Sequence, residues 1–183
     1  MPVIYSWQSF FQGFWLDIKS LAANSDPIAT VLCFVALTAV FLLIERKHLH
    51  FANILFAVAA AAYGTFLLTI TLLGRAEGNT SRWDGLFSTY IRAFSGEPWA
   101  IHDIFYNIIL FIPVGLLTAR CRRLRIAIPI LLIIPLCIEL LQLITTRGVF
   151  EITDIINNFI GGLIGYFPIR IIVKLIDLIK KEK

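Results

Sequence analysis

The chain has 183 residues and a mean hydropathy of +0.83, with 58% hydrophobic and only 15% charged residues. A soluble domain carries about 25% charged residues, so this composition excludes an ordinary soluble domain and predicts an integral membrane protein. The net charge of +4 comes from short basic clusters between apolar runs, without the aromatic-interleaved basic face of a nucleic-acid-binding protein, so we expect no nucleic-acid partner.

The N-terminal segment predicts an amphipathic helix that lies in the membrane interface. Its apolar residues recur at spacings of three and four, which place them on one side of a helix: Ile4, Trp7, Phe11, Phe14 and Ile18. A sixth, less apolar membrane span is the alternative interpretation. We therefore divide the chain into an N-terminal amphipathic segment, residues 1–26, and a transmembrane domain, residues 27–183.

Five apolar runs follow, each close to the roughly 20 residues that cross a bilayer as a helix. They are residues 27–44, 52–73, 104–119, 126–146 and 155–176. None shows the sustained alternation of polar and apolar residues that is typical of a membrane β-barrel. The sequence thus predicts an all-α integral membrane fold with about five transmembrane helices, and the lipid bilayer is its first expected partner.

The distribution of positive charge predicts the orientation of these spans. Basic residues concentrate in the first connection, the third connection and the C-terminal tail: Arg46 and Lys47; Arg120, Arg122, Arg123 and Arg125; Lys174, Lys180, Lys181 and Lys183. If all five runs cross the membrane, these three segments lie on the same side, and the positive-inside rule makes that side the cytoplasm. We therefore expect a multi-pass protein with a cytoplasmic C-terminus.

Polar residues inside the apolar runs predict a functional site. Glu139 and Gln142 lie within the fourth run, Asn107 lies near the outer start of the third, and Asp154 and Asn158 lie near the outer start of the fifth. Burying such groups in hydrocarbon is costly unless they are paired or face an aqueous cavity. In the predicted orientation the three runs bring them to a similar depth in the outer leaflet, so we predict an outward-facing polar cleft.

Helical spacing places these side chains on faces that can meet. Glu139 and Gln142 are three residues apart, and Asp154 and Asn158 are four apart, so each pair shares a helix face. Glycines on the third and fifth runs permit close helix packing: Gly115, Gly161 and Gly165. For Gln142, a buried amide that only bridges two helices is the competing interpretation. No pair of cysteines has metal-ligand spacing, so we predict no metal site, and any cofactor is unknown.

Several segments together resemble the VanZ-like family of bacterial membrane proteins. They are TLLGR at 71–75, NIILFIPVG at 107–115, IELLQL at 138–143, Arg147, and FEITDIINNFIGGLIGY at 150–166. The order and spacing of the segments carry the resemblance, so its core motifs lie within residues 71–166. The resemblance implies a location in the bacterial cytoplasmic membrane and a role at the cell envelope, where the namesake is linked to resistance to the lipoglycopeptide teicoplanin.

Three functions fit these observations. In an envelope-modifying enzyme, Glu139 and Asp154 would be the catalytic acid and base, acting on a lipid-linked substrate. Substrate-binding residues would then be Asn107, Gln142, Arg147, Asn158 and Arg75. In a non-enzymatic binder, the same cleft would hold a lipid, a lipoglycopeptide or a partner protein without turnover. A small transporter is the third alternative, since transporters also carry intramembrane polar residues and broken helices.

Overall fold

A computed structural model of the chain describes residues 7–46, 50–78, 85 and 87–181. Over these residues it contains seven helices and no strand. The helices are α1 (Trp7–Asn24), α2 (Pro27–Glu45), α3 (Phe51–Leu68), α4 (Ser88–Phe94), α5 (Pro98–Thr118), α6 (Leu124–Thr145) and α7 (Ile152–Lys181). A π-helical turn, Thr69–Leu73, extends α3. The predicted all-α fold is therefore confirmed.

Five of these helices are long and apolar enough to cross a membrane: α2, α3 with its π-helical turn, α5, α6 and α7. They coincide with the five predicted runs, so the prediction of a multi-pass membrane protein is confirmed. Two helices extend by more than two residues beyond their apolar runs. Pro98, which is favourable in the first helical turn, starts α5 six residues before the run at 104, and α7 continues to Lys181.

A helix is also present in the predicted N-terminal segment. In α1, Phe10 is buried, and its ring stacks on that of Phe14 with the centroids 6.5 Å apart. Residues 1–6, including Ile4 of the predicted stripe, lie outside the described part of the chain. The interfacial position of this helix, and the division of the chain at residue 26, stay predictions.

The chain forms two compact units. Unit 1 comprises the described residues within Met1–Thr80 and Ile144–Gly148, and unit 2 those within Ser81–Leu143 and Val149–Lys183. In unit 1, α2 packs on α3, and α1 packs on the π-helical turn. A Cβ at Gly74 would lie 2.1 Å from the carbonyl oxygen of Leu21, so only glycine permits this approach of α1 to the end of α3.

Unit 2 is built on the close packing of α5 against α7. A Cβ at Gly161 would lie 2.1 Å from the Ile108 carbonyl oxygen, and one at Gly165 would lie 2.0 Å from that of Ile112. Because both residue numbers rise together along this contact, α5 and α7 run parallel. Gly115 meets α7 in the same way, since its Cβ would lie 2.0 Å from the Gly162 carbonyl oxygen.

The course of α6 follows from two contacts with α7 and its N-terminal flank. Leu131 of α6 lies beside Gly162, whereas Glu139, further along α6, is hydrogen-bonded at residue 151, before α7 begins. Helix α6 thus runs opposite to α7, and therefore opposite to α5. The start of α5, the end of α6 and the start of α7 meet at one end of unit 2.

Candidate functional site

The site begins with a hydrogen bond between the end of α6 and the start of α7. The backbone N–H of Glu151, immediately before α7, donates to Oε2 of Glu139 at 3.0 Å. A helix start leaves N–H groups without partners inside the helix, and an acidic side chain near them is favoured by their partial positive charge. Glu139 therefore has a structural partner at the position where the sequence predicted a catalytic carboxyl group.

Glu139 and Gln142 are almost completely buried on one face of α6, with 1% and 3% of their surface exposed. A carboxyl group in such surroundings is costly unless hydrogen bonds compensate for the water it has lost. Polar side chains of α5, of α7 and of Glu151 lie at the same end of unit 2. We call the whole set the polar cluster: Asp103, Asn107, Glu139, Gln142, Glu151, Asp154, Asn157 and Asn158.

Helix α4 covers part of the polar cluster through two short hydrogen bonds. The Thr89 hydroxyl donates to Oε2 of Glu151, and the Tyr90 hydroxyl donates to Oδ1 of Asn157, both at 2.6 Å. Thr153 also donates to Oε2 of Glu151, at 3.3 Å. These bonds fix the start of α7 against a segment more than 60 residues earlier in the chain.

Burial and a neighbouring charge both raise the pKa of Tyr90. Removal from water raises the pKa of its phenol above the ordinary value of 10.0, and the negative charge of Asp154 raises the pKa further. Tyr90 therefore remains protonated at neutral pH and keeps donating to Asn157. Asp154 therefore acts electrostatically on a side chain of α4 as well as belonging to the start of α7.

Three carboxyl groups approach one another within the polar cluster. One oxygen each from Asp103, Glu151 and Asp154 lies within 4.8 Å of the other two, and all three residues are half-buried. Asp103 comes from α5, whereas the other two flank and begin α7. The parallel packing of α5 and α7 is what brings these distant residues together.

Three asparagines place buried polar atoms beside these carboxyl groups. Asn157 and Asn158 are 1% and 3% exposed, and Asn107 is half-buried. Within the described part of the chain, Nδ2 of Asn107, Nδ2 of Asn157 and Oδ1 of Asn158 have no hydrogen-bond partner. Buried polar atoms are nearly always hydrogen-bonded, so these three atoms can each accept a water, an ion or a ligand group as a partner.

The two predicted arginines lie together in unit 1. Nη2 of Arg147 forms an ion pair with Oε1 of Glu77 at 2.5 Å, and Nη1 donates to the Leu73 carbonyl oxygen at 3.4 Å. Glu77 was not anticipated as its partner. Arg75 and Arg147 both line a cleft of about 400 Å³, together with Asn24, Asp26, Ala29, Leu73, Ala76 and Glu77. The other predicted binding and catalytic residues belong to unit 2.

Six residues of this arrangement were not among the predicted site residues: Asp103, Glu151 and Asn157 of the polar cluster, and Thr89, Tyr90 and Thr153, which hydrogen-bond to it. Asp103 precedes Asn107 by four positions and Glu151 precedes Asp154 by three, so helical spacing could have indicated both. No comparable signal exists for Thr89 and Tyr90. They lie in a seven-residue helix outside the apolar runs, and their partners are 62 and 67 residues away.

A comparison with known protein families shows the family of this chain. The VanZ/LLP1 family model matches residues 54–174. The chain belongs to the VanZ/LLP1 family. This confirms the predicted VanZ-like resemblance. The matched range includes the whole polar cluster as well as Arg75 and Arg147. No curated protein and no solved structure matched the chain.

Proposed function

We propose that this VanZ/LLP1 protein acts at the outer face of the bacterial cytoplasmic membrane, where it binds or modifies a polar part of an envelope component and contributes to tolerance of teicoplanin-type glycopeptides. The single observation that carries the proposal is the polar cluster itself. Its buried Glu139, Gln142, Asn157 and Asn158 lie at one end of three membrane helices. Intramembrane polar residues of this kind are typical of ligand or substrate sites.

The orientation in this proposal follows from basic residues at the opposite end of unit 2. The connection between α5 and α6 carries Arg120, Arg122 and Arg123, and α7 ends with Lys180 and Lys181. Positively charged connections remain in the cytoplasm. Because the polar cluster lies where α5 and α7 begin, it faces the outer leaflet in this orientation, within reach of lipid-linked envelope precursors.

The proposed chemistry assigns different tasks to the two kinds of polar group. Glu139 and Asp154 are the catalytic candidates, as proton donor and acceptor. The amides of Asn107, Gln142 and Asn158 orient the polar part of the substrate. Arg75 and Arg147 line the separate cleft of unit 1, where they hold an anionic group such as a phosphate or carboxylate. The ion pair of Arg147 with the exposed Glu77 is worth little, so a ligand can compete with it.

Binding without turnover is the second candidate, and one observation favours it. Oε2 of Glu139 already accepts the Glu151 N–H, a bond that holds α6 to the start of α7. Glu139→Gln separates the two functions, because the amide keeps an oxygen for this N–H but cannot act as a general acid or base. An enzyme loses its effect with this substitution, whereas a binding site retains part of it.

The experiment is to express the chain in a susceptible Gram-positive host and to measure growth inhibition by teicoplanin and vancomycin. Wild type is compared with Glu139→Gln, Arg147→Ala and the control Asp177→Asn, which makes the same kind of change at an exposed ion pair with Arg122. Membrane abundance is matched by immunoblot. We expect teicoplanin protection by wild type and by the control, with loss of protection in both site variants.

Two outcomes contradict the proposal. Equal susceptibility of cells with and without the wild-type chain would remove the glycopeptide role. Protection that persists unchanged in both site variants would assign Glu139 and Arg147 to helix packing and surface pairing instead.

A further inference from the structure

The carboxyl groups of Asp103, Glu151 and Asp154 form a close group, of which the proposed catalysis uses only Asp154. Their nearest oxygens lie within 4.8 Å of one another in half-buried surroundings. Like charges at this separation repel strongly when water is partly excluded, so three ionised carboxylates are unfavourable together. A bound cation removes this repulsion, and protonation of part of the group is the alternative.

Asn158 supplies a second, independent observation at the same place. Its side chain is 97% buried, as only 3% of its surface is exposed, and its Oδ1 has no hydrogen-bond partner among the described residues. Asn158 lies one helical turn after Asp154, on the face that Gly161 and Gly165 pack against α5. Because residues four apart share a helix face and Cα–Cβ bonds tilt toward the helix N-terminus, Asn158 projects from the same face of α7 as Asp154.

We infer that Asp103, Glu151, Asp154 and Asn158 bind one hard divalent cation of calcium size. Carboxylate and amide oxygens are the ligands that such cations prefer, and the ligand set contains no His or Cys that would favour zinc. Calcium–oxygen distances of about 2.3–2.6 Å allow opposite ligands to be about 5 Å apart. The three carboxylate oxygens all lie within 4.8 Å of one another, which is inside this limit. Calcium also accepts an irregular set of six to eight oxygen ligands, whereas magnesium requires a near-ideal octahedron.

The proposed ion would connect α5 to the start of α7 at the polar cluster. It concerns binding by the folded chain and is independent of any effect on glycopeptides. The test therefore uses the purified full-length protein in detergent, freed of metal with EDTA and titrated with CaCl₂ by calorimetry. We expect one saturable Ca²⁺ per chain.

Matched substitutions assign the ligands. Asp103→Asn and Asp154→Asn each remove one charged ligand and should weaken Ca²⁺ binding by about tenfold or more. Asp177→Asn is the control, because it makes the same change at an exposed carboxylate paired with Arg122 and should leave Ca²⁺ affinity unchanged. Gel filtration verifies that each variant is folded.

A gain-of-affinity variant keeps the test decisive if the loss variants misfold. Asn158→Asp replaces the amide oxygen by a carboxylate and should tighten Ca²⁺ binding several-fold, a result that misfolding does not produce. Absence of saturable Ca²⁺ binding by wild type overturns the inference. So does unchanged affinity in Asp103→Asn and Asp154→Asn, or an Asn158→Asp protein that is folded yet binds no more tightly. If the wild-type chain gives no glycopeptide protection but binds Ca²⁺ as expected, the proposed function is contradicted and the ion site is not.

Discussion

The hydrogen bond between Tyr90 and Asn157 connects α4 to α7 at 2.6 Å, and Asn157 is almost fully buried. Tyr90→Phe removes the donor and leaves Oδ1 of Asn157 without it, which costs about 1–3 kcal/mol. We expect the free energy of unfolding in detergent to fall by that amount. In an Asn157→Ala background the same substitution should cost much less, since the acceptor is already gone. Equal losses in both backgrounds would show that the bond contributes nothing.

The titration of Tyr90 gives a pH prediction. Burial and the charge of Asp154 raise the pKa of its phenol above 10.0, so the folded state holds this proton more tightly than the unfolded state does. The resulting stabilisation is complete below the unfolded pKa and is lost as pH rises through the folded pKa. The difference in ultraviolet phenolate absorbance between wild type and Tyr90→Phe measures that pKa. Asp154→Asn should lower it only in part, because burial is the larger cause; an unchanged pKa would contradict the role of Asp154.

The candidate site residues that the sequence predicts are those that stand out against an apolar background. Glu139 and Asn158 were identified because a polar group in a membrane helix is costly and therefore informative. Thr89 has no such contrast, since hydroxyl and aromatic residues are ordinary in a connecting segment. Its importance depends on a contact with Glu151 that only the folded chain creates.

At the scale of elements, glycine sets the distance between α5 and α7. A Cβ at Gly161 would meet the Ile108 carbonyl oxygen at 2.1 Å, and backbone cannot move aside as a flexible side chain can. Gly161→Ala should therefore push the helices apart and lower the free energy of unfolding by about 1–3 kcal/mol. The measurement is thermal unfolding of the purified protein in detergent.

Gly85→Ala is the matched control for this substitution. Among the residues that the structure describes, none has an atom within 4 Å of the Cβ position at Gly85, so an added methyl group meets none of them. We expect its melting temperature to remain close to that of wild type. A Gly161→Ala protein as stable as the Gly85→Ala protein would refute close packing of α5 on α7.

Hydropathy located all five long apolar helices but not the ends of every one. The start of α5 contains Trp99, His102 and Asp103, which lower the local hydropathy although Pro98 begins the helix. Helix α4, with seven residues, is too short to show a distinct periodicity. An apolar run marks the part of a helix that can cross hydrocarbon, whereas capping residues and tertiary contacts determine where the helix ends.

For the whole molecule, the sequence predicted the fold class and the family but not the two units. Residues 144–148 belong to unit 1, although the helices on either side of them belong largely to unit 2. The association depends on long-range pairs such as Arg147 with Glu77, and on the Gly78 N–H, which donates to the Thr146 carbonyl oxygen at 3.2 Å. Local composition carries no signal for such pairs.

The orientation of the molecule gives the last prediction, and two cysteine positions can test it. Cys121 lies in the basic connection after α5, so the positive-inside rule places it in the cytoplasm. Ser95 is exposed after α4, in the connection before α5, which lies on the side opposite to Cys121 if α5 crosses the membrane. With Cys33 and Cys137 replaced by alanine, a membrane-impermeant maleimide should label Cys121 only after the cells are permeabilised.

The reverse pattern is expected for a second variant, in which Cys121→Ala is combined with Ser95→Cys. Its single thiol should be labelled in intact cells, because the polar cluster and the connection that covers it face outward in this orientation. Labelling of Cys121 in intact cells, together with protection of Ser95→Cys, would show that the topology is the inverse of the predicted one. The polar cluster would then face the cytoplasm, where it could not meet an envelope component assembled outside, and the proposed function would fail with it.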